Sequence, residues 1–274
     1  MKDLSKIDFS VLDRPEVLMY LFHPRPEAPG RTSEPTSGDA GFPARTDVMI
    51  PVEKNVVIGG RYHMATASAC NILFFHGNGE IVADYDELSG IYHQIGANFL
   101  AVDYRGYGRS SGTPTVTAMM RDCHIILDYT IQWLDRHQCT GPLVVMGRSL
   151  GSASALELAA NYPDRVAGLI IESGFAYAAP LLALLGIDSE AIGFREEAGF
   201  SNVDKIKTYD GPTLVIHAEY DHIIPFSEGQ TLFDASSAGH KQLLQIPGAN
   251  HNDIHFRGLQ AYMQAIKDLI DGLK

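Results

Sequence analysis

Leu143-Val144-Val145-Met146-Gly147-Arg148-Ser149-Leu150-Gly151-Ser152-Ala153 is an apolar run that gives way, across two glycines, to small residues and helix formers. The first four residues read as a buried strand and the last three as the start of a helix. Gly147 and Gly151 let the backbone turn sharply between them. A serine on the crest of such a strand-to-helix turn projects its hydroxyl outward instead of burying it. That is how a nucleophile is presented, and a serine hydroxyl at neutral pH needs a base to take its proton.

Working outward, short apolar runs recur at 72–75, 99–102, 169–171, 214–216 and 243–246. Together with 143–146 they read as strands buried on both faces. Upstream, 48–52 and 56–62 read as a hairpin joined by the polar turn Glu53-Lys54-Asn55. Segments of helical period lie between the runs. Met120, Cys123, Leu127, Ile131 and Leu134 form one apolar stripe behind Thr117 as its cap, and Leu259, Met263, Ile266 and Ile270 form another. The helix after Ser149 ends at Asn161-Tyr162, because the residue before Pro163 is pushed out of helical dihedrals. Strands alternating with helices predict an α/β fold with a mostly parallel sheet and helices on both faces. Ligands gather at the carboxyl ends of such strands, so the residues just after each strand are the ones to read.

After 214–216 comes His217-Ala218-Glu219-Tyr220-Asp221-His222, and after 243–246 comes Pro247-Gly248-Ala249-Asn250-His251-Asn252. An imidazole works best as a base when a carboxylate fixes its tautomer and steadies the imidazolium. Ser149 as nucleophile, His251 as base and Asp221 as acid fill those roles in the order Ser, Asp, His. Glu219 and Glu172 also follow strands, but Glu219 lies only three residues beyond Ile216 and Glu172 precedes an insertion, so Asp221 is preferred. His217 and His222 read as structural neighbours of the acid. His251 and His255 have metal-like spacing, yet no helical signal covers both and no further ligands cluster there, so no metal is expected.

Acyl transfer develops a negative oxygen that backbone N–H groups stabilise. Leu150, just after the nucleophile, supplies one such N–H. Asn78, in the loop His76-Gly77-Asn78-Gly79 after 72–75, supplies the other. Asp103-Tyr104-Arg105-Gly106-Tyr107-Gly108-Arg109-Ser110 has the glycines of a phosphate loop but lacks the Gly-Lys-Ser/Thr ending, and is read as a rigid loop with internal charge pairs. Asp84 and Asp86 are acidic residues at a helix start and carry no function.

The 274 residues include 33 acidic and 21 basic side chains, a formal charge of -12 that disfavours nucleic acid and anionic membrane surfaces. Cys70, Cys123 and Cys139 are odd in number and widely spaced, as buried thiols in a reducing compartment would be. Neither 17–22 nor the apolar stretch 176–187 reaches the roughly 20 residues of a membrane span. No basic leader with a long apolar core opens the chain, and a cytoplasmic protein is expected. Five prolines between 24 and 43, mixed with glycines, mark an irregular segment. Residues 1–46 are read as an extension wrapping a single domain that fills 1–274.

Across 47–274 the chain resembles the α/β-hydrolase superfamily. The resemblance rests on His76-Gly77-Asn78, on Asp103-Tyr104-Arg105-Gly106-Tyr107-Gly108, on Gly147-Arg148-Ser149-Leu150-Gly151, on the Asp221 loop and on Gly248-Ala249-Asn250-His251. The elbow with His-Gly-Asn is similar to the Bem46 and serine-aminopeptidase-like groups. The resemblance implies an eight-stranded sheet with an antiparallel first hairpin, a Ser-His-Asp triad without cofactor, and an oxyanion hole at Asn78 and Leu150. Such relatives often carry a substantial cap after the sixth strand. Here 174–202 is short, apolar and alanine-rich, so a short helical cap of two small helices is expected. The expected activity is hydrolysis of carboxylic esters of a small-molecule acyl substrate. A thioesterase or small-peptide hydrolase would use the same apparatus, and a binder without turnover would use the same fold.

Overall fold

A computed structural model describes residues 3–28 and 45–273. The irregular stretch expected over 24–43 lies outside the described residues from 29 onward.

The strands are β1 (Arg45–Glu53), β2 (Val56–His63), β3 (Cys70–Phe75), β4 (Ala97–Val102), β5 (Leu143–Arg148), β6 (Gly168–Glu172), β7 (Thr213–Ala218) and β8 (Lys241–Ile246). They form one eight-stranded sheet in the order β1-β2-β4-β3-β5-β6-β7-β8. β1 and β2 pair antiparallel, β2 meets β4 antiparallel, and every later pairing is parallel. This is the α/β-hydrolase architecture, with its antiparallel first hairpin.

Side chains along the central strands alternate between two cores, as the period of two requires. Leu73, Phe75, Val145, Leu169, Ile171 and Val215 belong to one core. Ile72, Phe74, Val144, Met146, Ile170 and Ile216 belong to the other. Helices α3 (Val116–Arg136), α4 (Gly151–Asn161) and α6 (Asn202–Thr208) feed the first core, and α2 (Asp86–Gln94) and α8 (Ile254–Asp271) the second. Buried on both faces, β3 to β7 carry no alternation of polar residues, which is why they read as continuous apolar runs. β8 departs from that expectation. It is an outer strand, and only Ile246 of its six residues is buried.

Two local expectations are corrected. The cap of α3 is Thr115, whose hydroxyl accepts the N–H of Ala118 at 3.0 Å. Thr117 instead accepts the N–H of Phe9 at 2.9 Å, tying the N-terminal residues to the helix. The 103–110 loop does carry ion pairs, but they reach outward: Arg105 to Asp122 and Glu53, and Arg109 to Asp47.

Between β6 and α6 the chain makes two short helical pieces, α5 (Ala178–Leu184) and a 3-10 turn at Glu196–Ala198. The Glu196 carboxylate accepts the N–H groups of Ala178 and Ala179, closing the start of α5. The Glu228 carboxylate, on α7 (Phe226–Ala235), accepts those of Ala176 and Tyr177. The N-terminal residues carry α1 (Pro15–Leu21) and bury Leu12, Val17 and Leu21 in the first core.

Candidate active site

The loops after β3, β5, β7 and β8 open at one edge of the sheet. In register Phe75 lies beside Gly147 and Arg148 beside Glu172, so the ends of these strands are level. Ser149 sits at φ 50°, a left-handed conformation that costs a residue with a Cβ. Its surroundings hold it there. The Ser149 N–H donates to the Glu172 carbonyl at 2.8 Å, extending the β5–β6 ladder through the turn. A Cβ on Gly147 would meet the Gly151 carbonyl, and one on Gly151 would meet the carbonyls of Phe75 and His76. The two glycines are therefore needed for close approach, whereas the sharp turn expected of them is made at Ser149, the residue with positive φ.

His251 lies on the turn between β8 and α8 and is buried. Its Nε2 is 3.2 Å from Ser149 Oγ and its Nδ1 2.8 Å from Asp221 Oδ2. With a carboxylate facing Nδ1 the imidazole proton sits there, leaving Nε2 to accept from the serine hydroxyl. The other Asp221 oxygen accepts the N–H groups of Ile223 at 3.0 Å and Ile224 at 2.8 Å, which turns Oδ2 toward the imidazole. Burial pushes the Asp221 carboxyl up, but the hydrogen bond and charge of His251 and the Ile224 N–H outweigh it and hold it below the usual range. The carboxylate is therefore ionised at neutral pH.

His217 is a neighbour of the acid, as expected, and a close one. Its Nε2 donates to the Ile224 carbonyl at 2.8 Å and lies 3.5 Å from Asp221 Oδ2. Burial lowers its pKa below the ordinary histidine value, so it remains neutral and leaves the carboxylate's charge to His251. Of the rival acids, Glu219 accepts the Gly248 N–H at 2.7 Å, and Glu172 is buried against Arg148 and Tyr262. Neither is bonded to His251.

The structure brings Asn78 and Leu150 to the same edge as Ser149. Among the described residues, no acceptor is bonded to the backbone N–H of either. The Asn78 side chain, by contrast, is fully engaged. Its Oδ1 accepts the His23 N–H at 2.7 Å and the Tyr107 hydroxyl at 2.8 Å. Its Nδ2 donates to the Tyr20 carbonyl at 3.1 Å and to His23 Nδ1 at 3.0 Å. Arg25 adds a bond to the Gly79 carbonyl at 2.7 Å. The stretch 20–25 thus clamps the Asn78 loop, a role that the reading of 1–46 as a wrapping extension did not contain.

His76 is fully buried, with Nε2 3.3 Å from Asp103 and its carbonyl accepting the Tyr104 hydroxyl at 2.6 Å. The 103–110 loop is therefore a buttress for the loop after β3. Gly108 is required there, since a Cβ would meet the Asp103 carboxylate.

Beside the acid loop lies a cavity of about 120 Å³ lined by Phe175, Tyr177, Leu181, Leu184, Ile223 and Pro225. A larger depression of about 520 Å³, at the start of α3, contains none of these site residues and is lined by ion-paired Arg105 and Asp122.

A family model described as serine aminopeptidase, S33, matches residues 67–187. The chain is 30% identical over 209 residues to the human alpha/beta hydrolase domain-containing protein 17B, covering 73% of this chain and 65% of that protein. It therefore spans slightly less than two thirds of that curated relative. It is 28% identical over 245 residues to an uncharacterized protein of Mycobacterium tuberculosis, covering 84% and 81%. Among solved structures, Est1E from Butyrivibrio proteoclasticus with bound ferulic acid superposes with a TM-score of 0.66 at 17% identity, covering 82% of this chain and 98% of that one. A soluble variant of monoglyceride lipase from Saccharomyces cerevisiae, in complex with a substrate analog, does so at 0.64 and 16% identity, covering 88% and 98%. The fold is one that esterases and lipases use.

Proposed function

The chain belongs to the α/β-hydrolase superfamily, and from that premise we propose that it is a serine hydrolase cleaving carboxylic esters through an acyl-enzyme intermediate. One observation carries the proposal: hydroxyl, imidazole and carboxylate stand in series, at 3.2 and 2.8 Å, at the carboxyl edge of the sheet. Ser149 Oγ attacks the acyl carbon while His251 Nε2 takes its proton. The carbonyl oxygen becomes an oxyanion facing the N–H groups of Asn78 and Leu150, and Asp221 steadies the imidazolium. His251 then passes the proton to the departing alcohol, and water repeats the sequence to release the acid. No cofactor or metal enters these steps.

The apolar cavity between α5 and the acid loop supports an apolar acyl or aromatic group as the acid part of the ester. In this reading the segment 174–202 is a short cap on one domain, and the reaction takes place in the cytoplasm. Among the described residues no helix is long and apolar enough to cross a membrane.

The test is Ser149→Ala against a panel of acyl esters, acyl thioesters and aminoacyl amides, with a ferulate-sized aromatic ester among them. Turnover of at least one ester is expected to fall by at least about 1,000-fold while the far-ultraviolet spectrum is unchanged. A fluorophosphonate probe is expected to label Ser149 covalently in the native protein. Thioester or amide turnover exceeding that of every ester would redirect the bond class. Turnover unaffected by the substitution would rule out this serine, and absence of labelling together with no turnover of any member of the panel would leave a binding protein.

A further inference from the structure

Arg148 is the one residue of the elbow with a long side chain, and that side chain points away from solvent, 7% exposed. It is bonded to three separate segments. Nε donates to Glu80 Oε1 at 2.8 Å, one terminal nitrogen to Glu172 Oε1, and the other to the backbone carbonyl of His251 at 2.8 Å. Each carboxylate reaches further. Glu80 Oε2 accepts the Gly77 N–H at 2.7 Å and the Tyr85 hydroxyl at 2.6 Å. Glu172 Oε2 accepts the Tyr262 hydroxyl at 2.8 Å, on α8, the helix that leaves the His251 turn.

A single guanidinium thus joins the peptide preceding Asn78, the elbow itself and the main chain of the imidazole. Burial disfavours its charge, yet the charges of Glu172 and Glu80 outweigh that and hold it protonated. Burial likewise raises Glu80, but Arg148 and Tyr85 bring its carboxyl down to about 2. A planar fork is suited to three directions at once, which the single ammonium of a lysine is not.

We infer that Arg148 is a positioning residue for the reaction, holding the His251 turn and the Asn78 loop in fixed relation so that base and oxyanion donors keep one geometry. It touches no reacting atom and acts through the carbonyl of His251 and through Glu80. The inference deepens the hydrolase reading and rests on it for its catalytic consequence. The juxtaposition of the two loops stands independently of that reading.

The experiment uses Arg148→Lys and Glu80→Gln in the full chain. It follows kcat and KM with p-nitrophenyl acetate, alongside amide hydrogen exchange at 76–80 and 250–253. Arg148→Lys is expected to lower kcat at least about tenfold with KM within about threefold, since displacements near 1 Å can cost two orders of magnitude. Exchange is expected to quicken in both loops while α3 and α4 keep their protection. Glu80→Gln keeps the guanidinium and its His251 limb, and decides the matter should the lysine variant not fold. In that variant exchange is expected to quicken at 76–80 and kcat to fall, while 250–253, still held by the guanidinium, stays at the native rate. Exchange at the native rate in either loop of Arg148→Lys, or at 76–80 of Glu80→Gln, or a rise spread evenly over the whole chain, overturns the inference. Should the native protein prove not to hydrolyse the ester at all, the hydrolase reading fails and the exchange pattern still judges this one.

Discussion

The two N–H groups proposed to face the oxyanion are held in contrasting ways. Leu150 is placed by close local packing: a ladder bond from Ser149 to Glu172, two glycines packed against the main chain of Gly151, Phe75 and His76, and its own side chain buried in the first core. Asn78 is placed by side chains from far away in sequence. Tyr20 and His23 grip it from one side, Tyr107 from another, and Glu80 with Arg148 from below. One half is a packed strand-to-helix turn with no slack. The other is a loop moored by polar contacts, each worth about 0.5–1.5 kcal/mol. Damage to the first should be structural and abrupt, and damage to the second graded and catalytic.

The sharpest test of that contrast is Gly151→Ala. The added methyl has only the carbonyls of Phe75 and His76 to meet, and neither strand end can yield without breaking its ladder. Overpacking of this kind costs on the order of 3 kcal/mol. For a chain of this size that lowers the melting temperature by about 6–12 °C. Ester turnover should be lost with it. A variant melting at the native temperature with native activity would mean that the elbow is no tighter than the Asn78 loop.

Asn78→Ala comes next. It retains the backbone N–H but removes the moorings to Tyr20, His23 and Tyr107. The expected result is a fall in kcat of about tenfold, ~1.4 kcal/mol. That is less than the 2.7–4 kcal/mol that deleting an oxyanion donor outright typically costs. The melting temperature should drop by no more than about 4 °C. Tyr107→Phe removes one of these moorings and should cost kcat about threefold. If it cost as much as Asn78→Ala, the loop would hang from a single contact instead of several, and the contrast would fail in its second half.

The same difference decides what the sequence made legible. The elbow is written within a few residues, and the apolar strands on either side could be recognised because parallel strands buried on both faces have no polar alternation. Ser149, Asp221 and His251 followed because each comes shortly after such a strand. β8 was harder to characterise, since an outer strand exposes most of its residues even though its apolar run marks its place. The cap of α3 went to Thr117 and not Thr115 because both can cap, and only the contact between Thr117 and Phe9 separates them. The moorings of Asn78 left no local trace. Glu80 and Arg148 are 68 residues apart, and His23 and Asn78 are 55 apart. Within the sequence, therefore, nothing about Arg148 beyond its place in a five-residue motif, and nothing about Glu80, marks the contact between them.

The smallest effect concerns acid, and it separates the two halves by charge. No ionisable group is bonded to Leu150 itself, whereas the Asn78 loop is bonded directly to Glu80 through the Gly77 N–H. Burial raises that carboxyl, but Arg148 and Tyr85 outweigh burial and bring it to about 2. In an unfolded chain a glutamate titrates near 4.3. A group depressed on folding contributes stability that is fully present above its unfolded value and is lost as the pH falls toward its folded one. Between about pH 5 and 3 the native protein should therefore lose part of Glu80's contribution, while Glu80→Gln has none of it to lose. Asp47, Asp86 and Asp221 are depressed too, so the variant keeps a slope of its own. The measurement is the melting temperature of both proteins at half-unit steps through that window. The variant should start below the native protein at pH 7 and the gap should narrow by a few degrees on acidification. A gap that stays constant would mean that the Glu80 carboxyl titrates alike in both states, and that the Asn78 loop is held by its neutral contacts alone.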